Sequence, residues 1–219
     1  MDKDKKLKIL EKIPFYFTYF LRLTLIVAIV LEIFNQRWPL FFITSLILLL
    51  TYLPFFIEKK YRIDLPLEFE FVIILFIYAS LFLGEVRSYY TKLLWWDILL
   101  HAGFGIAMGF AGFLIMYILY YKNKIETKPI WIIVFSFCFA VAIGTLWEIF
   151  EFGMDQIFRM NMQKSGLVDT MWDLIVNSFG ALFISFVGYF YIRRKKTPIF
   201  SRMLNKFVRK NQDIFKKNN

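Results

Sequence analysis

One cysteine and one histidine in 219 residues leave few of the commonest site chemistries open. With Cys138 alone there is no intramolecular disulfide framework and no thiolate metal site. Its place inside an apolar block reads as small-residue packing. A Gly-rich phosphate loop, zinc-finger spacing, an HExxH pair and any nucleic-acid-binding motif are missing as well. Acidic residues are fewer than basic ones, 17 against 27, and the formal charge is +10. The excess gathers at the two ends, in MDKDKKLKILEK and RRKKTPIFSRMLNKFVRKNQDIFKK. Anionic lipid is therefore the expected partner of the basic termini, and nucleic acid is not.

Apolar residues, by contrast, are abundant. They make up 59% of the chain, aromatics 21%, and mean hydropathy is +0.56. A soluble domain carries about 45–50%. The surplus falls in long blocks, so the expected fold is all-α, a polytopic membrane bundle in one domain over residues 1–197. A spanning helix needs about 20 apolar residues. Six segments qualify, roughly 15–34, 38–57, 66–86, 93–121, 130–153 and 170–192. Pro39, Pro66 and Pro129 stand at or near helix starts, where a missing N–H costs least. The basic N-terminus is followed by an apolar run too long for a signal peptide, and no cleavage site follows it, so that run reads as the first span.

Lysine and arginine orient the chain. One side carries the N-terminal lysines, Lys59, Lys60, Arg62, Lys122, Lys124, Lys128 and the tail. The other carries Arg37, Arg87, Lys92, Arg159 and Lys164. Both termini are expected in the cytoplasm, in a cytoplasmic or inner membrane. The tail, 198–219, spaces Ile199, Phe200, Met203, Leu204, Phe207 and Val208 as an amphipathic helix suited to the inner leaflet.

This topology brings acids together. Glu148, Glu151 and Asp155 share one face near the outer end of the fifth span. Asp169, Asp173 and Asn177 follow at intervals of four in the sixth. Asp97 and His101, one turn apart, enter the fourth, and Glu85 ends the third on the same side. An ionised group at a helix centre costs about 2.5–3.5 kcal/mol on insertion scales. Arg87, Lys92, Arg159 and Lys164 read as too few and too peripheral to neutralise the group. Protonation, a hydrated cavity or a bound cation resolves the repulsion. The candidate metal ligands are Asp97, His101, Glu148, Glu151, Asp169 and Asp173, holding Mg²⁺, Mn²⁺, Ca²⁺ or Zn²⁺. His101, Asp97 and Glu148 are the candidate catalytic groups, and Glu85, Asp155 and Asn177 candidate substrate contacts. No organic cofactor is indicated.

Structural readings stand beside these. Thr170 to Asp173, TMWD before an apolar run, fits a capping box. Asp97 and His101 fit a simple hydrogen-bonded pair. Glu32 reads as interfacial, and Glu68 and Glu70 suit a helix N-terminus. Ala102, Gly105, Gly109 and Gly112 form a small-residue stripe that lets a neighbouring helix approach.

WWDILLHAGFGIAMGF, WEIFEFGMD and DTMWDLIVNSFGA, preceded by ASLFLGE, resemble the YjdF-like family of bacterial multi-pass inner-membrane proteins, over roughly Leu65 to Tyr191. The resemblance implies a small helical membrane protein and no particular reaction. Its signature residues correspond to Glu85, Asp97, His101, Glu148, Glu151, Asp169 and Asp173.

Three functions follow. One is a metal-dependent enzyme acting on a lipid-linked or phosphate-bearing substrate, although the glycine-arginine signature of alcohol phosphatidyltransferases and the basic clusters of phosphatidic-acid-type phosphatases are absent. Another is a cation- or proton-coupled transporter. The third is a structural or accessory membrane protein, and a homo-oligomer is compatible with each.

Overall fold

A computed structural model describes residues 3–121, 125–194 and 198–215. Lys122, Lys124, Lys195, Lys196, Lys216 and Lys217, used above for charge, lie outside them, as does the side chain of Ile199. Among the described residues there is no strand. Six helices are long and apolar enough to cross a membrane: Lys12–Phe34, Trp38–Tyr61, Leu67–Val86, Trp96–Tyr121, Pro129–Phe158 and Leu167–Arg193. Within the apolar window of each, only 22–33% of residues are buried inside the protein. Many large apolar side chains along these helices are exposed, which is the arrangement lipid requires and water does not allow.

The chain divides into two compact units. The first comprises residues up to Leu93 with Arg209–Asn211. It begins with α1 (Lys3–Phe34), then α2 (Trp38–Leu50) and α3 (Leu53–Tyr61), which together form the second span. That span was expected unbroken; it breaks at Thr51–Tyr52, just before Pro54. Arg22, a charged residue inside the first span that the sequence reading left unexplained, answers the break. Its guanidinium donates to the Thr51 hydroxyl at 3.1 Å and to the Thr51 carbonyl at 2.8 Å, and lies 4.1 Å from the Tyr52 ring centroid. Glu32, two residues from the end of the first span, is buried, with Oε1 accepting the Thr44 hydroxyl at 3.0 Å.

The third span starts as α4 (Leu67–Ile77) and continues as a π-helix over Tyr78–Val86. The i→i−5 bond from Arg87 N–H to the Phe82 carbonyl, 2.9 Å, marks its wider winding. A short helix, α5 (Tyr89–Lys92), folds back so closely that a Cβ on Gly84 would overlap the Tyr90 ring. Leu21, Leu25, Ile47, Ile74 and Phe82 form this unit's core.

The second unit comprises Leu94–Val208 and the chain from Gln212. Its frame is α6 (Trp96–Tyr121), α7 (Pro129–Phe158) and α8 (Leu167–Arg194), each packed on the other two. The small-residue stripe does what was expected and serves two neighbours. Cβ atoms on Gly105 and Gly180 would strike the backbone of α8 and α6 respectively, so these helices meet main chain to main chain. Gly112 instead faces Ser136 and Phe139 of α7, where a Cβ would come within 3.1 Å. Deeper in the bundle the Ser136 hydroxyl donates to the Gly109 carbonyl at 2.5 Å and accepts from Ser185 at 3.2 Å.

The amphipathic tail forms as α9 (Pro198–Lys210), followed by α10 (Gln212–Phe215). Its apolar face was expected at the leaflet. Phe200, Leu204 and Phe207 are instead buried, the first two clustering with Phe113 and Ile132. Packing against rings already fixed in the bundle removes that face from lipid.

Candidate metal centre

Three helix ends meet at one end of the second unit: the start of α6, the end of α7 and the start of α8. Their boundaries differ from expectation in ways that matter here. α6 starts at Trp96 rather than 93, so Asp97 lies in its first turn. α7 runs on to Phe158, keeping Asp155 helical. α8 starts at Leu167, so Thr170 is inside the helix and is not an N-cap; its N–H already bonds the Gly166 carbonyl at 3.2 Å. The expected capping box does not form. Asp173, released from that role, turns toward α6.

His101 is the hub. Its Nε2 lies 3.5 Å from Asp97 Oδ1 and 3.8 Å from Asp173 Oδ2. On the opposite edge of the ring, Nδ1 lies 3.7 Å from Glu148 Oε1. One ligand atom each from Asp97, His101 and Asp173 falls within 4.8 Å of the other two, a group able to hold a metal ion. These separations exceed a normal hydrogen bond, which peaks at about 2.9–3.0 Å for N–H···O. The groups therefore surround a gap instead of closing on one another.

Burial makes the gap costly. Glu148 is 4% exposed, and neither of its oxygens has a partner at full hydrogen-bond geometry among the described residues, the Thr170 hydroxyl being a side-chain donor beside it. Asn177, one turn below Asp173 and 1% exposed, donates to the Ala140 carbonyl at 3.4 Å while its Oδ1 has no partner among the described residues. A Cβ on Gly144 would overlap that amide, so the glycine is what admits Asn177 to the site. Buried polar groups in native proteins are nearly always paired, and those that are not call for a ligand, water or ion.

Lys164 corrects the charge balance expected from sequence. Although exposed, its Nζ lies 3.2 Å from Asp97 Oδ2. The loop that carries it is folded by Asp155, whose carboxylate accepts the N–H groups of Met162 at 2.5 Å and Gln163 at 2.8 Å. Gln163 in turn donates to the Thr170 hydroxyl at 2.6 Å. Asp155, expected at a substrate, is thus committed to loop structure. Glu151 accepts the Trp147 indole N–H at 2.9 Å and, like Asp169, stands outside the three-ligand group. Glu85 belongs to the first unit. Asp97, Glu148, Glu151, Asp169 and Asp173 lie close enough to repel one another, and Lys164 is an ammonium that faces them.

A six-span, all-helical membrane protein with a carboxylate–imidazole cluster at one end of a three-helix unit is the class this architecture defines. Residues 17–194 match the family described as Predicted membrane protein (DUF2238), and the chain belongs to that family, in agreement with the YjdF-like resemblance. A protein of Thermotoga maritima named only as an uncharacterized protein is similar, at 28% identity over 151 residues, covering 67% of this chain and 73% of that one. No solved structure matches.

Proposed function

We propose that this protein binds a divalent cation through Asp97, His101 Nε2 and Asp173, with Glu148 orienting the imidazole, and that the site serves a metal-dependent reaction on a phosphate-bearing or lipid-linked substrate. The observation that carries the reading is Glu148: a buried carboxylate with no partner at full hydrogen-bond geometry, 3.7 Å from His101 Nδ1. A metal-bound histidine characteristically gives its other N–H to a carboxylate, which fixes the tautomer and raises ligand basicity. Glu148 is placed for that role and Asp97 is not, since Asp97 faces Nε2.

Spacing favours one kind of ion. The two imidazole–carboxylate edges, 3.5 and 3.8 Å, suit a tetrahedron whose centre is about 2.1–2.3 Å from each corner, near the upper end of Zn–N and Zn–O bond lengths, and the carboxylate–carboxylate edge, within 4.8 Å, would close to fit. Neighbouring ligands on octahedral Mg²⁺ stand about 2.9 Å apart, so that ion would require the site to contract. Three protein ligands leave a fourth tetrahedral position free, the pattern of catalytic rather than structural zinc. A divalent ion there would acidify water or polarise a phosphoryl oxygen. Asn177 Oδ1, Lys164 and Glu151 are the remaining polar groups able to orient what enters.

Transport is the second reading, favoured by the inward series Asn177, Ser136 and Ser185. The backbone contacts at Gly105 and Gly180 oppose it, because they leave no width for a hydrated path between α6 and α8. The test is elemental mass spectrometry of the protein purified in mild detergent, beside the Glu148→Gln/Asp173→Asn variant. The expected result is a stoichiometric divalent metal that a still-folded variant lacks. No metal in the parent protein after reloading with Zn²⁺, Mn²⁺, Mg²⁺ and Ca²⁺ in turn would overturn the reading.

A further inference from the structure

The first unit holds a crevice of about 490 Å³ between α1 and the π-helical third span, within the roughly 300–1,000 Å³ typical of ligand sites. Its walls are Leu23, Val27, Ala28 and Leu31 of α1 against Phe82 and Leu83 of the π-helix. The Thr24 and Tyr78 hydroxyls, 2.9 Å apart, join the same two walls at one level. Arg87 and Lys92, just beyond the last residue of the span, complete the lining. From Thr24 to Leu31 is about 10 Å along the helix axis, a third of the hydrocarbon thickness of a bilayer of about 30 Å.

Winding is the second observation. π-helical segments are rare and occur frequently at functional sites. Here the segment supplies Tyr78, Phe82 and Leu83 to the crevice and ends at Arg87. The guanidinium stacks over Phe82, 5.0 Å from the ring centroid, and Lys92 Nζ donates to the Arg87 carbonyl at 2.8 Å. Two cations are thereby held at one end of an apolar slot. Among the described residues neither is paired with a carboxylate.

We infer that this crevice binds a phospholipid with an anionic headgroup, its phosphate on Arg87 and Lys92 and the upper part of one acyl chain along Leu23, Val27, Leu31 and Leu83. An amphiphile fits where a soluble phosphate does not, because the slot is mostly apolar and lies along membrane-spanning segments. Arginine's planar fork and the lysine ammonium are the usual donors to phosphate oxygens. The site lies wholly in the first unit and does not rest on the metal reading.

Full-length protein, stripped of lipid in a neutral maltoside detergent, is titrated with phosphatidylglycerol or phosphatidylcholine and read by native mass spectrometry. Two variants accompany it, Arg87→Gln/Lys92→Gln and Val27→Trp, both at exposed positions and both checked for folding by circular dichroism and gel filtration. The expected result is one phosphatidylglycerol bound roughly tenfold more tightly than phosphatidylcholine, each exposed cation contributing to that preference. The charge variant should lose the preference, and the tryptophan should weaken both lipids by filling the slot. Equal binding of the two lipids by the parent protein overturns the proposal. So does loss in the charge variant without loss in Val27→Trp, which would mean charge attraction at the surface. Loss in Val27→Trp with the preference intact in the charge variant removes the headgroup assignment and overturns it equally. Asp97, His101 and Asp173 are unchanged in both variants, so failure here and failure of the metal reading are separate results.

Discussion

Glu148→Gln should raise the stability of this protein without metal and blunt its response to metal. Without metal, Glu148 is a buried carboxylate with no partner at full hydrogen-bond geometry. An isosteric amide keeps the volume and removes the charge, and an unpartnered buried polar group costs less neutral than charged, a difference on the order of 1 kcal/mol. For a chain of this length that corresponds to roughly 2–4 °C per kcal/mol in Tm. With metal the advantage shrinks. At a free ion concentration of 100 times Kd, binding adds about 2.7 kcal/mol to the parent protein. Losing the carboxylate that orients a ligand histidine costs about 10- to 100-fold in affinity. At the same ion concentration the variant should therefore gain only about 0.4–1.4 kcal/mol from metal. The assay is tryptophan-fluorescence melting in detergent, run with EDTA and with Zn²⁺ or Mn²⁺. The expected pattern is a variant that melts several degrees higher in EDTA and responds less to metal. Equal metal-induced shifts in both proteins would refute the role given to Glu148. A variant less stable than the parent in EDTA would mean that the carboxylate has a partner holding the bundle together.

Lys164→Ala should tighten divalent binding several-fold, since the ammonium at 3.2 Å competes for Asp97; competition titration with a metallochromic dye measures it, and weaker binding would contradict the charge balance described here. Gly105→Ala should destabilise the protein by about 1–3 kcal/mol, because the added methyl strikes the Asn177 carbonyl of α8 and neither main chain can yield cheaply; an unchanged melting temperature would show that the helices separate freely. Asn211→Ala should remove two bonds to the Asp64 backbone, each 2.7 Å. Limited proteolysis should then cut faster next to Asn211, and unchanged kinetics would mean those bonds do not hold that stretch.

The six spans were legible because a bilayer imposes a length and a polarity that any sequence must declare. The identity of the cluster was legible in the same way: acids at intervals of three and four have few reasons to enter a membrane. Its division of labour was not. Spacing gives Glu148, Glu151 and Asp155 one face, but only the rotation of α7 decides that Glu148 meets the imidazole while Asp155 holds a loop. Lys164 was dismissed because it belongs to no periodic segment, and its position depends on hydrogen bonds from Asp155 that no periodicity predicts. The tail shows the remaining ambiguity. An amphipathic face is satisfied equally by lipid or by exposed aromatics, and Phe113, Ile132 and their neighbours supplied the second.

The π-helix of the third span gives this membrane segment an uncommon tolerance to length change. Its bonds reach back five residues, where an α-helix reaches four. Deleting one residue within Tyr78–Val86 can be absorbed by tightening the winding, leaving a continuous hydrogen-bonded helix that still crosses the bilayer. Phe82 and Arg87, five apart on the wider winding, become an i, i+4 pair when the deletion falls between them, and such a pair still shares one face of an α-helix. In a lineage of such proteins, loss of one residue there would keep the cation over its ring while sparing the span itself.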